Sequence, residues 1–116
     1  MIEGFSTSVS AMKAFIVKKN AHASNIANTL TDGYRKIRVT MAEEPDAGVS
    51  ARADKVVYDG SAATTTAADS SAATPSNVDL VEEMTGDMTA LRAFEANAKV
   101  TQTTDEMLGT IIDVSH

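Results

Sequence analysis

The stretch SNVDLVEEMTGDMTALRAFEANAKVTQTTDEMLGTIIDVSH, residues 76–116, decides the fold. Met84, Met88, Leu91, Phe94, Ala98, Thr101, Leu108 and Ile111 follow one another in steps of three and four, with one gap across Thr104 and Asp105. That period lays one stripe along one side of a helix, and over several turns it predicts a coiled-coil seam. Pro75-Ser76-Asn77 marks the start. Ser76 is the expected N-cap, and Asp79 three residues on completes an approximate capping box. Asp79, Glu82 and Glu83 then fall where the positive end of the helix dipole favours carboxylates.

Such a stripe needs a partner. The other end of the chain supplies one. Ile2, Phe5, Val9, Met12, Ile16, Lys19, Ala23, Ile26 and Leu30 hold an uninterrupted three-four spacing, with Lys19 the only charged member. The expected fold is mainly α. Two long terminal helices pair as a coiled-coil-like hairpin, around a small β or irregular middle and a flexible linker. One domain results, with an N-terminal helix in 1–32, a short β segment in 33–60, a linker in 61–76 and a C-terminal helix in 77–116.

Between the helices, Ile37, Val39 and Met41 alternate with Lys36, Arg38 and Thr40, which predicts a half-buried strand over Tyr34–Met41. Glu43-Glu44-Pro45-Asp46-Ala47-Gly48 reads as a turn, and Val49–Arg52 and Lys55–Tyr58 read as weak strands. Ser61 to Ser76 is almost only Ala, Thr and Ser, so it has nothing large to bury and reads as a linker. The first helix is expected over Ser6–Thr29, with Thr31-Asp32-Gly33 as the turn after it.

The 116 residues carry 43% hydrophobic side chains, but aromatics are only 4% and much of the rest is Ala. A lone hairpin of this kind is marginal, so an assembly is expected to be the stable form. No cysteine is present, which removes disulfides, thiolate metal sites and thiol nucleophiles. No apolar run is long enough to span a bilayer, so direct membrane insertion is not expected. The N-terminus lacks the basic and apolar regions of a cleavable signal peptide. His22 and His116 lie far apart, and the carboxylates at Asp79, Glu82, Glu83 and Asp87 are explained by a helix start. No phosphate-cradling glycine loop occurs. No catalytic, cofactor or metal site is therefore expected. A lone His22 beside Ala23 reads as a partly exposed surface residue. Arg35, Lys36 and Arg38 form a basic set too short, in too acidic a chain, for nucleic-acid binding.

The net charge of −6 is unevenly spread. Residues 1–38 hold six basic and two acidic side chains, net +4, and residues 39–116 hold four basic and fourteen acidic ones, net −10. The arms are expected to attract, within or between chains. Lys19, inside an apolar register, is a candidate for setting the pairing.

Several short motifs carry a resemblance. Ser24-Asn25-Ile26-Ala27-Asn28 followed by Thr31-Asp32-Gly33-Tyr34-Arg35 resembles the N-terminal signature of the bacterial flagellar rod and hook family. Asn77-Val78-Asp79-Leu80-Val81-Glu82-Glu83-Met84 and Arg92-Ala93-Phe94-Glu95-Ala96-Asn97 resemble the opening and core of that family's C-terminal helix. The motifs cover roughly residues 5–35 and 77–112, in the family's order. Within the family the chain is most similar to the proximal, FlgC-like rod proteins, with a shortened middle in which Val57-Tyr58-Asp59 is the remnant of a longer segment. The resemblance implies a non-catalytic structural subunit of the flagellar basal body. It would join itself and other rod and axial proteins in a helical tube that transmits torque for motility. It would reach the periplasm-spanning rod through the flagellar export apparatus, without a cleavable signal peptide. A small cytoplasmic coiled-coil adaptor, or an export-related protein, is the alternative. The expected subunit-interface residues are Phe5, Val9, Met12, Ile16, Ile26, Asn28, Met84, Met88, Leu91, Phe94, Asn97, Leu108 and Ile111. Asn28 and Asn97 are expected to satisfy backbone or partner groups where helices cross.

Overall fold

The computed structural model describes residues 2–57 and 74–115. Tyr58, Asp59-Gly60, His116 and the linker up to Ala73 lie outside the described residues. The elements run α1 (Ile2–Ala27), β1 (Ile37–Glu44), β2 (Gly48–Lys55) and α2 (Leu80–Val114). Two long helices pack together and a two-stranded antiparallel sheet sits between them in sequence, so the mainly α hairpin with a small β middle is the observed fold.

α1 begins earlier than Ser6 because its polar first turns are self-satisfied. The Ser6 and Thr7 hydroxyls donate back to the Glu3 carbonyl at 2.9 and 2.8 Å. It ends at Ala27, where side chains take up carbonyls left open by the last turn. Asn28 Nδ2 donates to Ser24 O at 2.9 Å, and the Thr29 hydroxyl donates to Ile26 O at 2.9 Å. Gly33 then turns the chain with φ of 75°, which only glycine adopts cheaply.

β1 and β2 form one hairpin, with Ile37 opposite Lys55 and Glu44 opposite Gly48. The predicted alternation holds, since Ile37, Val39 and Met41 are half-buried between exposed Arg38 and Thr40. The strand is shifted towards the C-terminus, however, and the two weak strands expected after the turn are one. Residues 31–36 are used to dock the sheet, and pairing continues to Glu44. The hairpin lies along α1. Thr7 donates its hydroxyl to Ala47 O near the tip, and Val49 N donates to Ser10 Oγ at 3.0 Å.

α2 starts at Leu80 with Asp79 as its cap, not Ser76. The Asp79 carboxylate accepts from Val81 N at 3.0 Å and Glu82 N at 3.2 Å. Residues 76–78 are drawn out of the helix because Asn77 is engaged elsewhere. Asn77 Oδ1 accepts from Lys36 N at 2.7 Å and its Nδ2 donates to Val56 O at 3.1 Å, closing the open end of the β-hairpin.

The helices meet antiparallel, but not through the stripe of large side chains. The buried face of α1 is Ser8, Ala11, Ala14, Ala21 and Asn25, and that of α2 is Glu83 and Ala90. Small residues let the two backbones approach closely. The large apolar side chains are left on the flanks. Phe5, Ile16, Met84, Met88, Leu91 and Ile111 are exposed, and Val9, Met12, Ile26, Phe94 and Leu108 are half-buried. The expected pairing of the two stripes inside one chain is thus corrected: the buried positions of both helices are mostly small, and the large apolar residues stay exposed or half-buried.

This core has an energetic consequence. Its fully buried hydrophobic members among the described residues are Ala11, Ala14, Ala21 and Ala90. Burial contributes about 25 cal/mol per Å² of apolar area, and alanine brings little area to bury. Ordering each residue costs roughly 1–2 kcal/mol of backbone entropy. The isolated chain is therefore expected to melt at low temperature in a broad transition, followed by circular dichroism. A sharp, cooperative melt from a dilute monomer would contradict this.

Candidate functional site at the helix junction

The residues of the N-terminal and C-terminal motifs converge where α1 ends, β1 begins and α2 starts. Asn25 is fully buried there. Its amide pairs with the backbone of Ile37 as a strand would: Nδ2 donates to Ile37 O at 2.9 Å, and Oδ1 accepts from Ile37 N at 2.8 Å. The Tyr34 hydroxyl also donates to Asn25 Oδ1, at 3.0 Å, and lies 3.1 Å from Ser24 Oγ. One α1 side chain thereby fixes the start of β1. The following link reaches α2: Gly33 N donates to Thr74 O at 2.6 Å, and Arg35 donates to Pro75 O at 3.1 Å.

Ion pairs continue along the helices. Lys36 Nζ lies 3.4 Å from Glu82 Oε2, His22 Nδ1 lies 2.5 Å from Glu83 Oε2, and Lys19 Nζ lies 2.7 Å from Asp87 Oδ1. Each joins a residue of the basic first third to one of the acidic final third, as the charge asymmetry predicts. Lys19 sets the pairing of the two helices, in register with His22 one turn away. Its half-exposed ion pair contributes under about 1 kcal/mol, so its effect is on register.

His22 departs from expectation. Its side chain is mostly buried, and Glu83, its partner, is almost wholly so. The ring lies flat against Gly86, where an added Cβ would stand 2.5 Å from His22 Cε1 and 2.8 Å from Nε2. Only glycine permits that approach. Nε2 is buried without a hydrogen-bond partner among the described residues. No sequence signal joins His22 to Glu83, 61 positions apart.

Beside this pair a cleft of about 260 Å³ opens between α1, the start of β1 and the first turns of α2. Lys18, Ala21, His22, Lys36, Ile37, Arg38, Val39, Glu82, Glu83 and Gly86 line it. Small-molecule sites are usually larger, roughly 300–1,000 Å³. The chemistry present is a histidine–carboxylate pair with no nucleophile beside it. No group of three or more metal-binding side chains occurs among the described residues. The junction holds the hairpin closed. It does not assemble reactive groups.

The expected interface residues divide accordingly. Asn28 and Asn97 bond within their own helices, Asn28 Nδ2 to Ser24 O and Asn97 Nδ2 to Ala93 O at 2.8 Å. The large apolar residues of the set are exposed or half-buried along both helices. Sequence reasoning quoted Asn25 and Asn77 within motifs without finding their role. Both are hinge-pin amides that satisfy backbone groups.

Residues 61–114 match the family model described as flagellar basal body rod FlgEFG protein C-terminal. This C-terminal part is similar to the flagellar basal-body rod family. The matched range contains the Asn77–Met84 and Arg92–Asn97 motifs and all of α2. That family is a structural component of the flagellar basal body, and the similarity supports a structural role in the rod. The printed description groups FlgEFG proteins and does not carry the proximal, FlgC-like subtype. No curated protein matches the chain. No described helix is long and apolar enough to cross a membrane.

Proposed function

We propose that the chain is a structural subunit of the basal-body rod, which reaches it through the flagellar export apparatus. It assembles with copies of itself and other axial proteins into a helical tube that transmits torque. The observation that carries this reading is the flank of large exposed side chains on the hairpin: Phe5 and Ile16 on α1, and Met84, Met88, Leu91 and Ile111 on α2. Exposed large apolar side chains in number, rather than singly, mark an interaction site. The same patch on every copy, meeting a different patch on its neighbour, propagates as a helix when the rotation does not close. The half-buried Val9, Met12, Ile26, Phe94 and Leu108 border these flanks and complete the proposed subunit interface, with Asn28 and Asn97 at its helix ends and crossings.

Phe94 is the anchor of the α2 flank. It is the only aromatic residue of that helix and stands next to exposed Leu91 on the helix surface. Truncating a buried Phe typically costs about 3–5 kcal/mol. Much of that loss should fall on assembly, because the ring is half-exposed in the single chain. Phe94→Ala is expected to abolish swimming when it replaces the wild-type gene in a deletion strain, and basal bodies should lack the protein. Phe94→Tyr should retain function, and Glu95→Ala is the control. Normal swimming with Phe94→Ala, at protein levels matched by immunoblot, would remove this residue from the interface.

A further inference from the structure

We infer that the cleft beside His22 receives the C-terminal end of α2 from a second copy of the chain, residues 105–114. This contact rests on the rod-assembly reading and names the surfaces that meet.

The first observation is an overhang. Lys19 faces Asp87 and His22 faces Glu83, so the antiparallel helices advance together. At equal rise, Ile2 falls opposite roughly Thr104. Residues 105–114 extend about 15 Å beyond, at about 1.5 Å per residue. Met107, Ile111 and Val114 are exposed there. Their spacing of four and three places them on one face. Glu106 and Asp113, seven residues apart, run along one side of that face. No Lys or Arg occurs in residues 105–114. The overhang is an acidic-edged apolar ridge.

The second observation is the cleft. Ala21, Ile37 and Val39 give its lining an apolar part. Its carboxylates are already engaged, Glu83 by His22 and Glu82 by Lys36. Lys18 and Arg38, also in its lining, have no carboxylate partner among the described residues. A cleft of about 260 Å³ suits apolar side chains better than a cofactor. Ridge and cleft match in sign and in apolar character. They also lie towards opposite ends of the hairpin, so the contact is head-to-tail and propagates as a helix when the rotation does not close.

The test is sedimentation velocity of the full chain over a concentration series at low salt. Two variants are compared, Glu106→Lys with Asp113→Lys, and Lys18→Glu with Arg38→Glu. Each opposes like charges across the contact. Two surface pairs turned from attraction to repulsion should weaken self-association about tenfold or more, at up to about 1 kcal/mol per pair. An equimolar mixture of the two variants restores opposite charges and should associate as the wild type does, which also shows that both fold. Association that ignores both reversals, a mixture that stays dissociated, or a wild-type chain that remains monomeric would overturn the contact. Incorporation of wild-type protein into basal bodies, scored separately, would leave the rod reading standing in each of those cases.

Discussion

Replacing Asn25 by alanine is expected to open the junction and unfold much of the chain. The residue is fully buried, and its amide satisfies both the N–H and the C=O of Ile37 and accepts from Tyr34. Alanine removes all three bonds at once. Each buried polar group left unsatisfied costs about 1–3 kcal/mol, and two of the three orphans are backbone groups that cannot be moved to solvent without detaching β1. The expected loss is about 2–5 kcal/mol, which a core of buried alanines cannot absorb. Asn25→Asp should be as damaging or worse, because it keeps the acceptor but loses the donor to Ile37 O and places a carboxylate in a site closed to water. The measurement is urea unfolding by circular dichroism in an osmolyte that favours the compact state, together with amide exchange at Ile37. Wild-type protection of the Ile37 amide in Asn25→Ala would show that some other group holds β1.

Much of this fold was legible from local signals. Two helices at the termini, the alternation of Ile37, Val39 and Met41, the turn at Gly33 and the pairing of a basic arm with an acidic one all follow from spacing and charge. The rotation of the helices did not follow. Met84, Met88, Leu91, Phe5 and Ile16 dominate any reading of periodicity, because large side chains carry most of the apolar signal. Ser8, Ala11, Ala14, Ala21 and Ala90 recur at helical spacing too, but their small area makes the signal weak. A stripe of large residues states that a helix needs a partner. It does not state whether that partner is in the same chain. Within this one the small residues win, since they admit the closest approach and place Lys19 against Asp87.

The junction was legible only as motifs. Asn25 and Asn77 stood in quoted sequences, but their work depends on backbone groups at Ile37, Lys36 and Val56, which come together only after the chain has turned twice. The N-cap was misplaced for the same reason. Ser76 and Asp79 are both good caps in isolation, and the engagement of Asn77 decides between them. His22 could not be read as buried, because its partner and the glycine that makes room for it are on the opposite helix.

That glycine supports a prediction whose sign depends on a second residue. Gly86→Ala should destabilise the chain, although alanine is the better helix former by roughly 1 kcal/mol. The new Cβ would stand 2.5 Å from the His22 ring, so the ring must swing away. Among the described residues Glu83 has no other side-chain partner, and its side chain is only 4% exposed. Leaving a buried hydrogen-bonding group without its partner costs about 1–3 kcal/mol, and more where that group is charged. The net expectation for Gly86→Ala is a loss of about 2 kcal/mol. With the ring gone, the same substitution meets open space. In a His22→Ala background Gly86→Ala should therefore be neutral or stabilising, by up to about 1 kcal/mol. A double-mutant cycle in urea, under the osmolyte conditions used for Asn25, measures the coupling. Additive losses would mean that the ring and the glycine do not touch, and that Glu83 is held by a group other than His22.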